Sequence, residues 1–342
     1  MKPRTLLLFI APSMVLMLVF IALPLAAVAV QSFYTTTPVR EQVKVETCSP
    51  GFLAPVCTTT LRSQVKLDAN GRPETETVFT GLDAYRLLLR LDLVAAAFAP
   101  GGGGYNALMA IDFWHALRFT LSFTLITLPL VIGLGLVVAL AVNNSLRALR
   151  GPMVFVSLLP FLVTPVIGAL AIRWLFVGDG ILTAALRWLL DSDISLFAQG
   201  WSIEILMLSY RVWHVAPFAF IIFYAGLQTV DLDTLESAVI DGASRFERLR
   251  YVVVPHLQPL IVFVALIHLM DSYRVFDEVI GFGSQAHVIS LQWLTFSFLM
   301  PDETGNRSIT RASASSMLTM VGIVLLLLPL MVRVWRDQRP RG

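Results

Sequence analysis

The chain has 342 residues, of which 56% are hydrophobic and only 14% are charged, and its formal net charge is +2. A soluble globular protein is about half apolar and about a quarter charged, so this composition excludes a soluble domain and predicts a polytopic membrane protein. The small net charge, without a basic run that includes aromatic residues, gives no indication of nucleic-acid binding.

The first apolar run extends from about residue 6 to residue 30 and follows the basic residues Lys2 and Arg4. A signal peptide is the competing interpretation, because residues 27–29 have the small side chains of a cleavage site. The run is longer than the roughly 7–15 apolar residues of a signal peptide. We therefore expect residues 1–31 to contain a short tail and a retained first transmembrane helix.

Residues 32–112 form an extended polar segment, in which we expect a small lobe. Its pattern predicts short strands at Val43–Val45 and Thr75–Phe79 and a helix at Leu82–Leu91. The glycines at 101–104 are not followed by Gly-Lys-Ser/Thr, so we interpret them as a linker rather than a phosphate-binding loop.

Five further apolar runs follow, and each is near or above the roughly 20 residues that a transmembrane helix needs. They are approximately Phe113–Val142, Met153–Val177, Ser202–Leu227, Leu260–Ile280 and Ser313–Val334. Arginines occupy alternate connections and the tail at 335–342, so the positive-inside rule places these segments and both termini in the cytoplasm. The predicted fold class is therefore an all-α membrane protein with six spans, a five-helix core at 113–334 and an extracytoplasmic lobe.

This topology bears on the two cysteines, Cys48 and Cys57, which both lie in the outer lobe. An extracytoplasmic compartment permits disulfides, and on that ground a bridge between them is favoured over two unpaired thiols. Their spacing, with no histidine nearby, does not match a zinc site, and no metal site is predicted.

An amphipathic stretch within 180–197 is expected to lie flat at the outer surface.

A polar island, Asp231–Pro255, separates the fourth and fifth spans. Its first part is helix-competent with Asp233 or Thr234 as N-cap, and Gly242 can take the left-handed conformation that ends a helix. A short amphipathic second helix should follow, and Pro255 is expected to end it. The island is therefore predicted to be a helix-turn-helix on the cytoplasmic membrane surface.

Read as E-x-A-x-x-D-G-A with V-x-V-P after a fixed interval, the island resembles the EAA loop of ABC importer permeases. The matching residues are Glu236, Ala238, Asp241, Gly242, Ala243, Val252, Val254 and Pro255. The segments Leu140–Phe176, Trp213–Val230 and Val275–Gly281 resemble spans of carbohydrate permeases. From about residue 113 onward the chain is thus identified as a member of the MalF-like permeases, although Gly281–Gln285 stands where that family often has Gly-Gly-Pro.

The resemblance implies the type I ABC importer permease fold, and it implies partners. These are a second homologous permease subunit, a dimer of ABC ATPase subunits that hold ATP and Mg²⁺, an extracytoplasmic solute-binding protein and membrane lipid, with no nucleic acid. The coupling loop would dock on the ATPase. The chain contains no G-x-x-x-x-G-K-[ST], so we expect no enzymatic activity, no catalytic residue and no cofactor in this subunit. A homodimer of this chain is the alternative to a second, different permease subunit.

Ionisable residues within the fourth and fifth spans point to a functional site, because charge is costly inside a membrane. At 1.5 Å per residue, Arg211, His214, His268 and Asp271 lie roughly 13–20 Å deep in a core about 30 Å thick. Aromatic rings beside hydrogen-bonding groups suit a sugar. By resemblance, the substrate positions are Phe161, Thr164, Arg211, His214, Phe218, His268, Asp271 and Ser272.

Alternatives remain open for these charges. Arg211 and Asp271 could instead be a buried ion pair that joins two spans, and His268 could be a core histidine with satisfied hydrogen bonds. The histidines and arginines at one depth suggest an anionic or heavily hydroxylated cargo. A rival function is a proton-coupled secondary transporter using Asp271 with Asp277 and Glu278, both placed nearer the outer end, but six spans without visible inverted repeats disfavour it.

Overall fold

The computed structural model describes residues 3–49, 56–66, 74–178, 180–191, 197, 199–301 and 306–337. Within these ranges, five helices are long and apolar enough to cross a membrane, and a bent helix pair makes a sixth span if it is counted as one. The five are Phe9–Gln31, Asp112–Asn143, Gly200–Leu227, Arg245–Ser272 and Ile309–Arg336, and the pair is Arg147–Leu162 with Pro165–Phe176. The predicted helical membrane fold is confirmed.

The secondary-structure elements are numbered here in chain order. The helices are α1 (Pro3–Met17), α2 (Leu23–Gln31), α3 (Asp83–Leu89), α4 (Leu91–Ala97), α5 (Gly104–Met109), α6 (Asp112–Asn143), α7 (Arg147–Leu162), α8 (Pro165–Phe176), α9 (Ile181–Leu190), α10 (Gly200–Leu227), α11 (Leu232–Ile240), α12 (Arg245–Arg248), α13 (Val254–Ser272), α14 (Asp277–Phe282), α15 (Leu291–Ser297) and α16 (Ile309–Asp337). The strands are β1 (Tyr34–Pro38), β2 (Arg40–Ser49), β3 (Val56–Val65) and β4 (Thr75–Phe79). The chain divides into two compact units, Met1–Asp92 with Thr295–Leu318 and Leu93–Leu294 with Thr319–Gly342.

The first unit contains two antiparallel strand pairs, β1 with β4 and β2 with β3. Of these strands, β4 was predicted with its observed bounds, β2 is longer than the predicted Val43–Val45, and β1 and β3 were not predicted. The predicted helix at Leu82–Leu91 is interrupted, because Arg90 takes a left-handed conformation with φ of 42° that ends α3.

The register of β2 and β3 places Cys48 directly opposite Cys57. Opposed Cα atoms in antiparallel strands are about 4.5–5.5 Å apart, which is within the range that a disulfide needs. The side chains of both cysteines lie outside the described residues. The backbone register thus agrees with the proposed bridge, which stays a prediction.

The second unit is built around α6 and α10, which pack along each other. Small residues allow the close approach, since a Cβ added at Gly135 would lie only 2.6 Å from the Cβ of Ala219. Phe220, Phe223 and Val131 are buried in the resulting core. This pair provides the rigid support on which the shorter helices around it are held.

The predicted third span, Met153–Val177, is not one straight helix. The chain breaks between α7 and α8, whose axes differ by 91°. Val163 and Thr164 have extended ψ angles of 134° and 137°, as expected for Thr164 because Pro165 excludes the helical conformation from the residue before it. We call residues 162–165 the elbow.

The predicted fifth span, Leu260–Ile280, begins earlier and ends earlier than expected. One helical segment runs from Arg245 to Ser272, and α14 follows as a separate short helix. The expectation that Pro255 ends a helix is wrong. Proline lacks an N–H and collides with the preceding turn of an α-helix, but here a π-helical turn, Leu249–Val253, precedes it and the helix continues.

Candidate functional site

Arg211 on α10 lies at the centre of a buried polar cluster in the second unit. Its side chain is 6% exposed, its Nη1 donates to Glu278 Oε1 at 2.7 Å, and its Nη2 donates to Asp271. The two acceptors differ, because the Glu278 side chain is 1% exposed and that of Asp271 is 63% exposed. Arg211 therefore joins a fully buried carboxylate on α14 to an open one near the end of α13.

Arg211 and Asp271 thus form an ion pair, which was one of the two alternatives for these residues from the sequence. The geometry also pairs Arg211 with Glu278, which was predicted nearer the outer end of the span. The helix ends at Ser272, and Glu278 in the first turn of α14 reaches Arg211. Arg211 Nη2 also lies 3.5 Å from Ser272 Oγ.

His268 is buried and lies between two hydroxyl groups. Its Nε2 is 2.9 Å from Thr127 Oγ1 on α6 and 3.0 Å from Ser272 Oγ. These contacts match the alternative of a core histidine with satisfied hydrogen bonds. His268 and Ser272 thus support the cluster from inside and do not face open space.

The elbow is held by two side chains of α10. His214 Nε2 donates to the Val163 carbonyl oxygen at 2.8 Å, and the Tyr210 hydroxyl donates to the Pro165 carbonyl oxygen at 2.8 Å. Tyr210 and His214 are four residues apart and therefore lie on the same face of the helix. Tyr210 was not predicted as a site residue, although its spacing from His214 would have indicated it.

Beside the elbow, two aromatic rings form a stacked pair. The centroids of Phe161 and Phe218 are 5.9 Å apart with an interplanar angle of 25°, and the His214 ring lies 6.2 Å from Phe161. Phe161 is 45% exposed and Thr164 is exposed. The stack thus leaves the Phe161 ring exposed, three residues before an exposed threonine.

All eight predicted substrate positions lie in the second unit, but they fall into two groups. Phe161, Thr164 and Asp271 are exposed, and Phe218 is half-buried. The buried ones are Arg211, His214, His268 and Ser272. The exposed residues are accessible from outside the chain, whereas the buried ones make hydrogen bonds within the unit. Within the described residues, no group of three or more His, Cys, Asp and Glu side chains could hold a metal ion.

The predicted coupling loop, Asp231–Pro255, contains the expected first helix (α11) and turn, but its second helix continues into the next span instead of ending at Pro255. Asp231, rather than Asp233 or Thr234, caps α11 by accepting from the backbone N–H of Asp233. Gly242 follows with φ of +81°, and a reciprocal capping box between Ser244 and Glu247 starts the next helix.

The loop presents both acidic and apolar groups to solvent. Glu236, Asp241, Gly242 and Pro255 are exposed, and Ala238 and Ala243 are half-buried. Ile240 on α11 is 86% exposed. Exposed apolar side chains beside charged ones are typical of a protein-binding surface.

Comparison with known proteins identifies relatives of this chain. Residues 119–341 match the family model described as "Binding-protein-dependent transport system inner membrane component". The trehalose/maltose transport system permease protein MalF of Thermococcus litoralis is 30% identical over 238 residues, which cover 68% of this chain and 78% of that protein. The trehalose transport system permease protein SugA of Mycobacterium tuberculosis is 31% identical over 184 residues, or 52% of this chain and 57% of that protein.

A solved structure supports the fold. One chain in the crystal structure of a bacterial ABC transporter involved in the import of the acidic polysaccharide alginate aligns with a TM-score of 0.59 and 18% identity. The alignment covers 75% of this chain and 92% of that one. The family match includes the elbow, the Arg211 cluster and the coupling loop. It also confirms the expectation of a membrane-embedded transport subunit rather than an enzyme. The chain therefore belongs to the family of inner membrane components of binding-protein-dependent transport systems.

Proposed function

We propose that this chain is the permease subunit of an ATP-driven importer that translocates a sugar or a related polyhydroxylated solute. The observation that carries the proposal is the exposed Phe161 ring stacked on Phe218, with the exposed Thr164 three residues further along the chain. A sugar has apolar faces and a rim of hydroxyl groups, so it matches an aromatic platform with adjacent donors and acceptors. Two relatives are named as trehalose or trehalose/maltose permeases, which supports the same cargo class.

The charge of the cluster favours a neutral cargo over an anionic one. Arg211 is already paired with two carboxylates, and the more open of the two is Asp271. An anionic solute beside Asp271 would meet a like charge, whereas a sugar hydroxyl would donate a hydrogen bond to it. We therefore do not propose the anionic cargo that the histidines and arginines suggested.

The proposed mechanism uses the coupling loop as the contact with partner ATPases, which would hold ATP and Mg²⁺. Its exposed residues Glu236, Asp241 and Ile240 support such a docking surface. The loop leads directly into one helical segment, Arg245–Ser272, which is about 42 Å long at 1.5 Å per residue. Movement of the loop would therefore be passed to Asp271 at the far end of the same helical segment, and the permease would alternate between inward-facing and outward-facing states.

The proposed assembly also contains a second homologous permease and an extracytoplasmic solute-binding protein. Both termini would be cytoplasmic, and the strand lobe would lie on the side of the binding protein. The support for this orientation is the distribution of arginines among the connections between spans.

Uptake by the complete complex in proteoliposomes tests the proposal. The assay uses radiolabelled trehalose and maltose, with the solute-binding protein outside and ATP inside. We expect uptake that requires ATP and persists when an ionophore collapses the proton gradient. Uptake that needs no ATP and stops with the gradient would contradict the proposal and favour the proton-coupled alternative, which would use Asp271, Asp277 and Glu278.

A further inference from the structure

The elbow poses a physical problem that the rest of the fold must solve. It interrupts a span that is apolar enough to cross a membrane, and it turns the chain by 91°. Backbone polar groups freed at such a break need partners, because non-helical backbone at membrane depth is tolerated only where protein or a water-filled cavity satisfies it. The groups that hold the elbow therefore matter for its shape.

Two buried side chains of α10 bond the backbone on both sides of Thr164. His214 donates to the carbonyl before it and Tyr210 to the carbonyl after it, each at 2.8 Å. Because a carbonyl only accepts, the proton of a neutral His214 lies on Nε2. His214 Nδ1 is buried and has no hydrogen-bond partner among the described residues. The bond to Val163 is thus the polar contact that orients this imidazole.

The elbow is also shaped to receive the tyrosine. A Cβ added at Gly168 on α8 would lie 3.1 Å from Tyr210 Cζ and 3.2 Å from Tyr210 Cε2, so only glycine leaves room for the ring there. Gly168 is in the first turn of α8, and its N–H is bonded to the Thr164 carbonyl. Gly168, Tyr210 and the elbow are thus closely packed against one another.

We propose that Tyr210 and His214 are positioning residues, which fix the elbow so that Phe161 and Thr164 stay exposed where a solute can reach them. This inference rests on the proposed function, because it assumes that the exposed ring and hydroxyl bind the cargo. Both side chains are buried, so they act through the backbone of the elbow and do not touch the solute themselves. If either hydrogen bond is lost, Phe161 and Phe218 are still present, but the position of Phe161 is no longer fixed.

Transport kinetics of four variants in the complete complex test the effect on binding. Tyr210→Phe and His214→Leu each remove one donor, whereas His214→Gln keeps an N–H donor of similar reach. Tyr224→Phe is the matched control, because its ring packs on Phe220, away from the elbow. We expect KM for the transported sugar to rise about fivefold in the first two, which is the effect of one lost hydrogen bond. Vmax should stay within about twofold, and His214→Gln and Tyr224→Phe should resemble the parent.

A distance measurement separates positioning from direct contact. Spin labels at Phe155→Cys on α7 and Trp174→Cys on α8, both exposed positions, would report the elbow angle in a Cys48→Ser, Cys57→Ser background. We expect one narrow distance distribution in the parent and in His214→Gln, and a clearly broader one in Tyr210→Phe and His214→Leu. This measurement needs no solute, so it remains decisive even if the parent complex takes up no sugar and the proposed function fails.

Two results would overturn the inference. A raised KM with an unchanged distance distribution would mean that Tyr210 or His214 acts on the solute directly. A broadened distribution with an unchanged KM would mean that the elbow does not present the binding groups.

Discussion

The coupling loop and the Arg211 cluster are organised in opposite ways. In the loop, the hydrogen bonds of the caps and the turn join residues no more than five positions apart, as between Ser244 and Glu247 and between Ala243 and Ala238. In the cluster, Arg211 bonds to Asp271 and Glu278, which are 60 and 67 positions away. The loop is therefore specified by its own sequence, whereas the cluster exists only when three helices pack together. Substitutions in the two regions should therefore have different effects on stability and on transport.

The largest expected effect on stability comes from Arg211→Met. This change leaves Glu278 buried without its partner, and an uncompensated buried charge costs roughly 3–5 kcal/mol. We expect a much lower Tm for the purified permease in detergent and little assembled complex. Arg250→Met, at an exposed position beside Tyr251, is the control for thermal stability alone and should leave the Tm nearly unchanged. Unchanged thermal stability in Arg211→Met would show that the buried pair does not hold the helices together.

Gly242→Val should separate transport from folding. A β-branched residue at φ of +81° is strained by about 1–3 kcal/mol, while open space surrounds the position, so the damage is confined to the turn. We expect membrane insertion to persist and ATP-driven uptake to fall at least about tenfold, the factor that corresponds to 1.4 kcal/mol. Gly242→Asn is the control, since asparagine tolerates the left-handed region. Normal uptake by Gly242→Val would contradict the assignment of the coupling loop.

Asp271→Ala sharpens the contrast between the two carboxylates of Arg211. Because the Asp271 side chain is largely exposed, its loss should lower stability by less than about 1 kcal/mol. As the proposed acceptor for a sugar hydroxyl, it should instead raise KM by roughly tenfold, as for a hydrogen bond to a charged group. Glu278→Ala should show the reverse pattern in thermal unfolding and uptake assays. Equal losses of stability in both variants would argue against the asymmetry.

Ser244→Ala should have the smallest effect. It removes one half of the capping box, and the loss of an N-cap costs about 1 kcal/mol. Because the same helix continues into α13 and is packed there, we expect local fraying at the start of α12 and a reduction of uptake by less than about threefold. Hydrogen exchange of the Glu247 amide, which donates to Ser244, would measure the fraying directly. An unchanged exchange rate would mean that packing alone holds this end.

Much of the fold could be predicted because local amino-acid composition is sufficient to indicate membrane helices. Runs of about 20 apolar residues are visible without any tertiary information, and so is the glycine-centred coupling loop. The break in the third span was missed although Pro165 was visible, because the hydropathy of the flanking residues is continuous across it. The continuation past Pro255 was not predicted because no local sequence pattern indicates a π-helical turn.

The candidate site shows the limit of local patterns most clearly. Charged residues at 211 and 271 indicated a buried polar site, since each is costly in an apolar span. Their roles depended on neighbours far along the chain: Glu278 neutralises Arg211, Thr127 satisfies His268, and the elbow carbonyls receive Tyr210 and His214.

The amino-acid sequence by itself determined the membrane class, the approximate spans and the helix and glycine turn within Asp231–Pro255, because each depends on hydropathy or turn chemistry within a few residues. Only the tertiary structure decided which charged groups are neutralised inside and which side chains face open space. The physical reason is that burial and pairing depend on the packing of α8, α10, α13 and α14 against one another, and no short segment contains that information.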